Sequence, residues 1–372
     1  MNVVYLISRA KKGAGPINQA LNILVGLERL SDVHAILVTL ETEREDDSWL
    51  ERFREKSIEI IQLNQKKWKL WSCVYRLKKI IKDKRIDVIH SSGFRADVVN
   101  MFVRNKVGTV STQRNHPDNF GEKYNWMIRK SANRLHLYVV SKMDVIVTCS
   151  ESLQHQYKQD CKRDVLAVQN GVDTDTYTPI NAENKGSLRV KLGVDTKGIF
   201  YLVMGWLGPR KNVGMIIEAF KAIDEPRIRL LIMGDGSQEM ELRAMAKDDE
   251  RILFLGKKNN PLEYIQTSDV LISASLSEGL PNTVLEALSC GLPCILSDID
   301  PHKEIIEGTE AGVLFDRNDS KALQEAINMS LTWDLSTKSQ MAREVAISGF
   351  GIDKLAAGYL KIYHEVRNHH AL

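Results

Sequence analysis

The chain has 372 residues, 43% hydrophobic and 27% charged, an ordinary make-up for a soluble globular protein with room for two cores. Lys and Arg number 51 against 48 Asp and Glu, a net +3 too small to support nucleic-acid binding, and no apolar run approaches the ~18 residues of a membrane span. The charge is uneven: residues 1–180 hold 29 Lys and Arg against 21 Asp and Glu, which favours anionic partners for that half.

Met1 to Ser8 runs straight into a strand, "NVVYLIS", with no basic lead-in or cleavage site, so a cytoplasmic protein is expected rather than a secreted one. A glycine-containing loop, "KKGAGPINQ", then enters an amphipathic helix, "INQALNILVGLERL". Next come the strand "HAILVTL", an acidic loop over 41–47, the strand "SIEIIQL", the helix "LWSCVYRLKKIIKDK" and the strands "IDVIH", "GTVSTQ" and "DVIVTCS". Residues 174–190 are polar, contain Pro and Gly, and read as a linker. The second half repeats the theme with "IFYLVMGWLG", the helix "NVGMIIEAFKAI", strands "RLLIMG", "ILFLG" and "VLISAS" separated by helices, then "PCILSDI" and "AGVLF". Short apolar runs alternating with helical segments predict parallel sheets covered on both faces. The expected architecture is α/β, two doubly wound Rossmann-like domains facing a central cleft. Their expected bounds are 1–180 and 181–345, with a helical segment over 346–372 packing back on the first. The five cysteines are odd in number, and Cys290 and Cys294 have no nearby His partner, so buried reduced thiols are expected.

Four stretches carry candidate chemistry. In "SEGLPNTVLEALSCGLP", residues 277–293, Glu278 falls in the loop after a strand and Pro281 suits the first position of a helix. The amides of Asn282 and Thr283, backed by the helix dipole, would form an anion site. Glu286 would lie roughly 7.5 Å further along the axis at ~1.5 Å per residue. Two carboxylates bracketing an anion site fit a ligand with hydroxyls at both ends and phosphates between them, such as a nucleoside diphosphate sugar. The plainer reading is an acidic helix start with a solvated Glu. Second, "MGWLGPRKN" places Arg210 and Lys211 after the second half's first strand, where a diphosphate would need neutralising or where two cations are simply solvated. Third, the glycines of "MGDGSQE" and of "KKGAGP" suit a close approach to phosphate or a tight turn. Fourth, "KKWKLWSCVYRLKKIIKDKR", residues 66–85, has nine basic residues, one acid and two tryptophans, and as a helix it sets Trp71, Val74, Tyr75 and Lys78 on one stripe. Such a helix rests on an anionic membrane or packs its apolar stripe on the first sheet.

These blocks lie among others: "GAG" near the start, "DVIH" (87–90), "DVIVTCS" (144–150), "VQNGVDTDTYTP" (168–179), "LRVKLGV" (188–194) and "GWLGPRKNVGMIIEAF" (205–220). "IMGDG" (232–236), "FLGKKNNPLEYIQTSDVLISAS" (254–275), the E-x7-E of Glu278 and Glu286, "CGLPCILSDI" (290–299) and "GVLF" (312–315) complete the series. In this order and spacing they resemble the retaining glycosyltransferases of family 4, which have the GT-B architecture. The resemblance implies that Glu278 contacts the donor sugar and Glu286 the ribose hydroxyls. It implies that backbone from Gly279 through Leu280, Asn282 and Thr283 holds sugar and diphosphate, with Pro281 unable to donate. Lys211 matches the family's phosphate lysine, while the family's common arginine after Gly205 is Trp206 here and Arg210 is placed to substitute. Backbone near Gly256, Lys257 and Lys258 would face the base, and Gly13 and Gly15 the donor phosphates. His116, in "VSTQRNHPD", is the candidate for the family's histidine near the reacting sugar, with Arg114 or Asn115 as the other occupants of that place. His90 ends a strand and reads equally as a core residue.

The implied reaction is transfer, with retention, of a sugar from a UDP- or GDP-sugar to a glycan or lipid-linked oligosaccharide acceptor in cell-surface polysaccharide assembly. Catalysis would fall to Glu278, Lys211, Arg210 and His116. No D-x-D metal motif is read at the candidate site residues, so neither a metal nor another cofactor is expected, and turnover should survive chelator. Peripheral contact with the inner face of an anionic membrane would follow from a lipid-linked acceptor. Two alternatives stay open: a sugar-nucleotide epimerase of the same architecture, and a non-catalytic nucleotide-sugar-binding protein.

Overall fold

The computed structural model describes residues 1–30, 32–66, 68–117, 126–194 and 198–371. Lys67 of the basic stretch and Asp118 of "VSTQRNHPD" lie outside them. The chain divides into two compact units, Met1–Gly171 with Ile352–Leu372, and Val172–Gly351. In the first unit β1 (Asn2–Ile7), α1 (Gly15–Glu28), β2 (His34–Glu41), α2 (Leu50–Glu55), β3 (Glu59–Gln65), α3 (Leu70–Asp83) and β4 (Val88–Ser92) follow one another. Then come α4 (Phe94–Met101), β5 (Gly108–Gln113), α5 (Trp126–Val140), β6 (Val145–Thr148), α6 (Glu151–Cys161) and β7 (Leu166–Ala167). The second unit starts with α7 (Ala182–Lys191), β8 (Ile199–Met204), α8 (Val213–Lys221), β9 (Ile228–Met233), α9 (Glu239–Ala246), β10 (Ile252–Gly256), α10 (Pro261–Thr267) and β11 (Val270–Ser273). It continues with α11 (Asn282–Ser289), β12 (Cys294–Ser297), α12 (Asp300–Ile306), β13 (Gly312–Phe315), α13 (Ser320–Ser330) and α14 (Leu335–Phe350); α15 (Ile352–Ala371) belongs to the first unit.

Both sheets are parallel, as near-continuous apolar strands such as "NVVYLI" and "IFYLVM" require when both faces are covered. The first has the order β3-β2-β1-β4-β5-β6-β7 and the second β10-β9-β8-β11-β12-β13. Alternate residues of β1 serve opposite cores. Val3, Tyr5 and Ile7 pack with α1 and α15, whereas Val4 and Leu6 pack with α3 and α4. The centre of the first sheet also carries a polar link to α15. His90 bonds Tyr363 Oη and Thr112 Oγ1, both at 2.7 Å, and is wholly buried, which makes it the core residue that its strand-end position allowed. None of the five cysteines forms a disulfide; Cys161 is half-buried and the others are buried.

Strand order reverses between β1 and β4 and again between β8 and β11, and at such switch points the loops after the strands open a crevice. In the second unit those loops are Gly205–Asn212, after β8, and Ala274–Pro281, after β11.

Three expectations are corrected. The stretch over 174–190 is not all linker: α7 occupies its second part, capped by Asn181, whose side chain accepts from the Asn184 amide at 2.8 Å. Pro281 is the cap rather than the first helical residue; its carbonyl accepts from Val284 and Leu285. The α3 stripe also divides, because Val74 is buried with Cys73, Leu77 and Ile81 while Trp71, Tyr75 and Lys78 face solvent. The helices α2, α4 and α6, of 6, 8 and 11 residues, are too short for their periodicity to have announced them.

Candidate functional site

The loop after β8 leaves the sheet at Gly205, passes Trp206 and Gly208, and turns through the single 3-10 turn Pro209–Lys211. Trp206 is half exposed and its ring lies against Gly208, where any Cβ would come within 2.1 Å of it. The Leu276 amide donates to the Arg210 carbonyl at 2.9 Å, which clips the β8 loop to the β11 loop. Arg210 Nη1 then reaches the Ser277 carbonyl and Glu278 Oε2, the latter at 2.8 Å. Lys211 Nζ meets Glu278 Oε1 at 2.8 Å, and Ser275 Oγ donates to the same oxygen at 2.9 Å. Burial by itself would push the Glu278 carboxyl up, but Lys211 and Arg210 outweigh it and hold it down at about 2. Glu278 is therefore ionised at any physiological pH, and two cations share one counter-charge. The N-terminal end of α11 follows directly, with the amides of Asn282 and Thr283 ahead of the helix's own ladder.

Gly279 and Leu280 are buried between these groups, and Asn282 and Thr283 are half-buried. Glu286 lies within α11 and is 7% exposed, so it is not the solvated Glu of the plainer reading. The glycines of "MGDG" have a packing reason. A Cβ on Gly234, at φ +149°, would stand 1.8 Å from the Gly205 carbonyl oxygen, and one on Gly236 would stand 2.1 Å from that of Leu207. The Gly234 amide donates to Gly256, which ends β10; Lys257 beside it is exposed and Lys258 lies over the Tyr264 ring at 5.6 Å.

The remaining sequence candidates are in the first unit. Gly13 is exposed in the turn between β1 and α1, and Gly15, also exposed, opens α1. His116 bonds Asp160 of α6 at 2.6 Å, stands edge-on to Tyr157, and borders a cavity of about 500 Å³ together with Arg129, Lys130 and Arg134. Arg114, directly after β5, donates instead to Asn170 of the "NGVD" block at 2.6 Å and leans towards Tyr5 Oη. A cavity of about 670 Å³ against α14, lined by Pro179, Arg343 and Ile347, holds none of the candidate catalytic or donor-binding residues. Among the described residues no group of three or more His, Cys, Asp or Glu is placed to hold a metal ion, and no helix is long and apolar enough to cross a membrane.

Ser275, Ser297 and His302 were not among the expected site residues. Ser297 Oγ donates to the Ser275 carbonyl at 2.6 Å, and His302 Nδ1 lies 2.8 Å from the Ser297 carbonyl. Wholly buried, His302 is pushed down to about 4 by desolvation and stays neutral. Glu278 is thus backed by a hydrogen-bonded chain running from α12 through the ends of β12 and β11. A serine at the end of one strand, Ser297, and another just past the end of its neighbour, Ser275, are the sequence signal that points to it.

Comparison with known proteins supplies the family. The model described as "Glycosyltransferase Family 4" matches residues 15–176, and "Glycosyl transferases group 1" matches residues 184–345. The UDP-Gal:alpha-D-GlcNAc-diphosphoundecaprenol alpha-1,3-galactosyltransferase of Escherichia coli is 28% identical over 296 residues, 75% of each chain. The O-antigen biosynthesis glycosyltransferase WclY of Escherichia coli is 25% identical over 98% of this chain and 99% of its own. Among solved structures, Anabaena Alr3699/HepE in complex with UDP superposes with a TM-score of 0.80 at 17% identity, covering 98% of this chain and all of that one. WaaG, a glycosyltransferase involved in lipopolysaccharide biosynthesis, superposes with a TM-score of 0.73 at 15% identity, covering 97% and 99%. With a family model on each half and this fold throughout, the chain belongs to the family 4 glycosyltransferases and is a glycosyltransferase of GT-B architecture.

Proposed function

We propose that the chain transfers a hexosyl group, with retention, from a UDP- or GDP-sugar to a glycan or lipid-linked oligosaccharide acceptor during assembly of a cell-surface polysaccharide, at the cytoplasmic face of the membrane. One observation carries the reading: Glu278 is held between Arg210 and Lys211 at the start of α11, on the switch point of the second sheet. A diphosphate arriving there would take over the two cations and the α11 amides. The carboxylate of Glu278, relieved of its partners, would then accept from a sugar hydroxyl, and Glu286 from the ribose diol. An ionised Glu278 has no proton to give, so it is not a general acid. Neither carboxylate is assigned as nucleophile, because the diphosphate would lie between them, whereas a nucleophile and its acid partner flank the sugar with their carboxyl groups only ~5 Å apart. What remains is stabilisation of the departing diphosphate by Arg210, Lys211 and the helix amides, with the leaving oxygen taking the acceptor's proton. The Escherichia coli galactosyltransferase, whose name gives a UDP-Gal donor and a diphosphoundecaprenol-linked acceptor, supports this donor and acceptor class.

The test is to incubate the purified protein with UDP- and GDP-sugars and a synthetic prenyl-diphosphate sugar, then read the product's anomeric coupling by NMR. Transfer with the donor's α configuration preserved is the expected result. A β-linked product would end the retaining assignment, and a donor altered without any acceptor would favour the epimerase.

A further inference from the structure

A guanidinium does not shed its proton in a protein, so one withdrawn from water needs a negative charge or a set of oxygen acceptors. Other arginines of this chain that are withdrawn from water have one or the other. Arg9, Arg95, Arg189 and Arg251 each meet a carboxylate at 2.7 Å. Arg163 and Arg343 spread their donors over backbone carbonyls instead.

Arg114 has neither. It directly follows β5, at the carboxyl end of the first sheet, where doubly wound sheets hold their ligands. Its Nη1 donates to Asn170 Oδ1 at 2.6 Å, and its Nη2 lies 3.5 Å from Tyr5 Oη, at the far edge of hydrogen-bond distance. Its Nε is enclosed without a partner. Its strongest electrostatic neighbours are the Tyr5 and Tyr359 phenols and the Cys149 thiol, and no carboxylate of the described residues pairs with it. The charge is felt in the core, because burial first and Arg114 second hold His90 well below its ordinary value.

The side chain is nonetheless fixed in place. Asn170 precedes Gly171, whose carbonyl accepts from Gln19 at 2.8 Å and from Asn22 at 2.7 Å, and whose amide donates to Gln19 at 3.1 Å. A half-buried cation that is held still and left without a counter-charge costs stability, and such a cost is kept where a ligand relieves it.

We propose that Arg114 is an anion-binding residue of the first unit and that its ligand is the diphosphate group of a substrate. The planar fork of a guanidinium matches phosphate oxygens, and the positive excess of residues 1–180 draws such a group towards this unit. A neutral sugar ring would leave the charge uncompensated. The assignment rests on the reading of the substrates as a nucleoside diphosphate sugar and an acceptor linked to its lipid through a diphosphate.

Full-length protein is titrated calorimetrically with UDP, GDP and farnesyl diphosphate, which separate the two carriers of that group. Arg114→Gln removes the charge but keeps an amide to donate to Asn170, Arg114→Met removes both, and Arg114→Lys keeps the charge. Affinity for the nucleotide or for farnesyl diphosphate should fall about tenfold or more in the Gln and Met variants and recover in part in the Lys variant. A loss confined to farnesyl diphosphate assigns the acceptor's diphosphate, and one confined to the nucleotide assigns the donor's. The thermal midpoint of Arg114→Gln should equal or exceed that of the wild type, because an uncompensated charge has gone. Lys211→Ala, which strikes the proposed donor site alone, should leave farnesyl diphosphate binding unaltered. A failed donor site therefore shows as absence of UDP and GDP binding, apart from any effect of Arg114. Wild-type affinity for both classes in the folded Gln or Met variant would overturn the proposal. So would binding of neither class by the folded wild type, or a lowered midpoint with unchanged affinities, which would make Arg114 a structural strut.

Discussion

Both oxygens of the Glu278 carboxylate are engaged, Oε2 with Arg210 and Oε1 with Lys211 and Ser275. Glu278→Gln keeps the shape and removes the charge, so the cations stay available to a diphosphate while a sugar hydroxyl loses its strongest acceptor. The variant should lose about 100-fold in kcat while nucleoside diphosphate affinity changes by less than about threefold, read by steady-state kinetics and titration. Equal, small effects on both would remove Glu278 from turnover. At this scale the two glutamates and the basic pair were legible because charged residue types at fixed spacing stand out along a chain. His302 was not legible: it reaches the site only through Ser297 and Ser275, a contact made by the pairing of β11 with β12. His116 shows the converse, a histidine next to proline whose imidazole is engaged with Asp160 while Arg114 takes the place beside Asn170.

Elements with apolar periodicity were read within a few residues of their bounds, and α7 shows what that signal misses. Its inward side chains are Lys185 and Arg189, which meet Asp269 at 2.7 Å each, with Arg189 also bonding the Thr267 carbonyl and lying over Phe200 at 4.2 Å. A helix that docks through charge has no apolar stripe, so its composition looked like a linker. Arg189 is 7% exposed, and Arg189→Ala should destabilise the second unit by about 3 kcal/mol by stripping a partner from a mostly buried carboxylate. Hydrogen exchange at β8 and α10 reads this directly. Unchanged protection there would mean that Lys185 and the Phe200 amide suffice to hold Asp269. The α3 helix teaches the same lesson from the other side, since a basic, aromatic sequence did not say which rings would face the core.

Over the whole molecule, acid should act through buried groups of both units. Desolvation holds His136 and His302 down at about 4 and His90 well below its ordinary value, so from about pH 6.5 to about 4 the unfolded chain binds protons that the folded one refuses. Stability is lost as pH falls through that window. Asp97, pushed up to about 6 by burial, works in the opposite sense: its contribution favours the fold at low pH and is lost as pH rises through 6. Three histidines against one aspartate give a net loss on acidification, and Glu278 adds to it as pH falls from its ordinary 4.5 towards 2. The unfolding temperature should therefore fall continuously between pH 6.5 and pH 4; a rise would mean that Asp97 dominates. The two parallel sheets were legible at this scale, because short apolar runs alternating with helices admit few other folds. The charge bias was legible too.

The second unit's switch point is the proposed nucleotide site. Calorimetric titration of the wild type, Lys211→Ala and Glu286→Gln with UDP and GDP tests that most directly. One of the two nucleotides should bind the wild type, with affinity lower by about tenfold or more in both variants. Wild-type affinity in both variants, or no binding by the folded wild type, would contradict it.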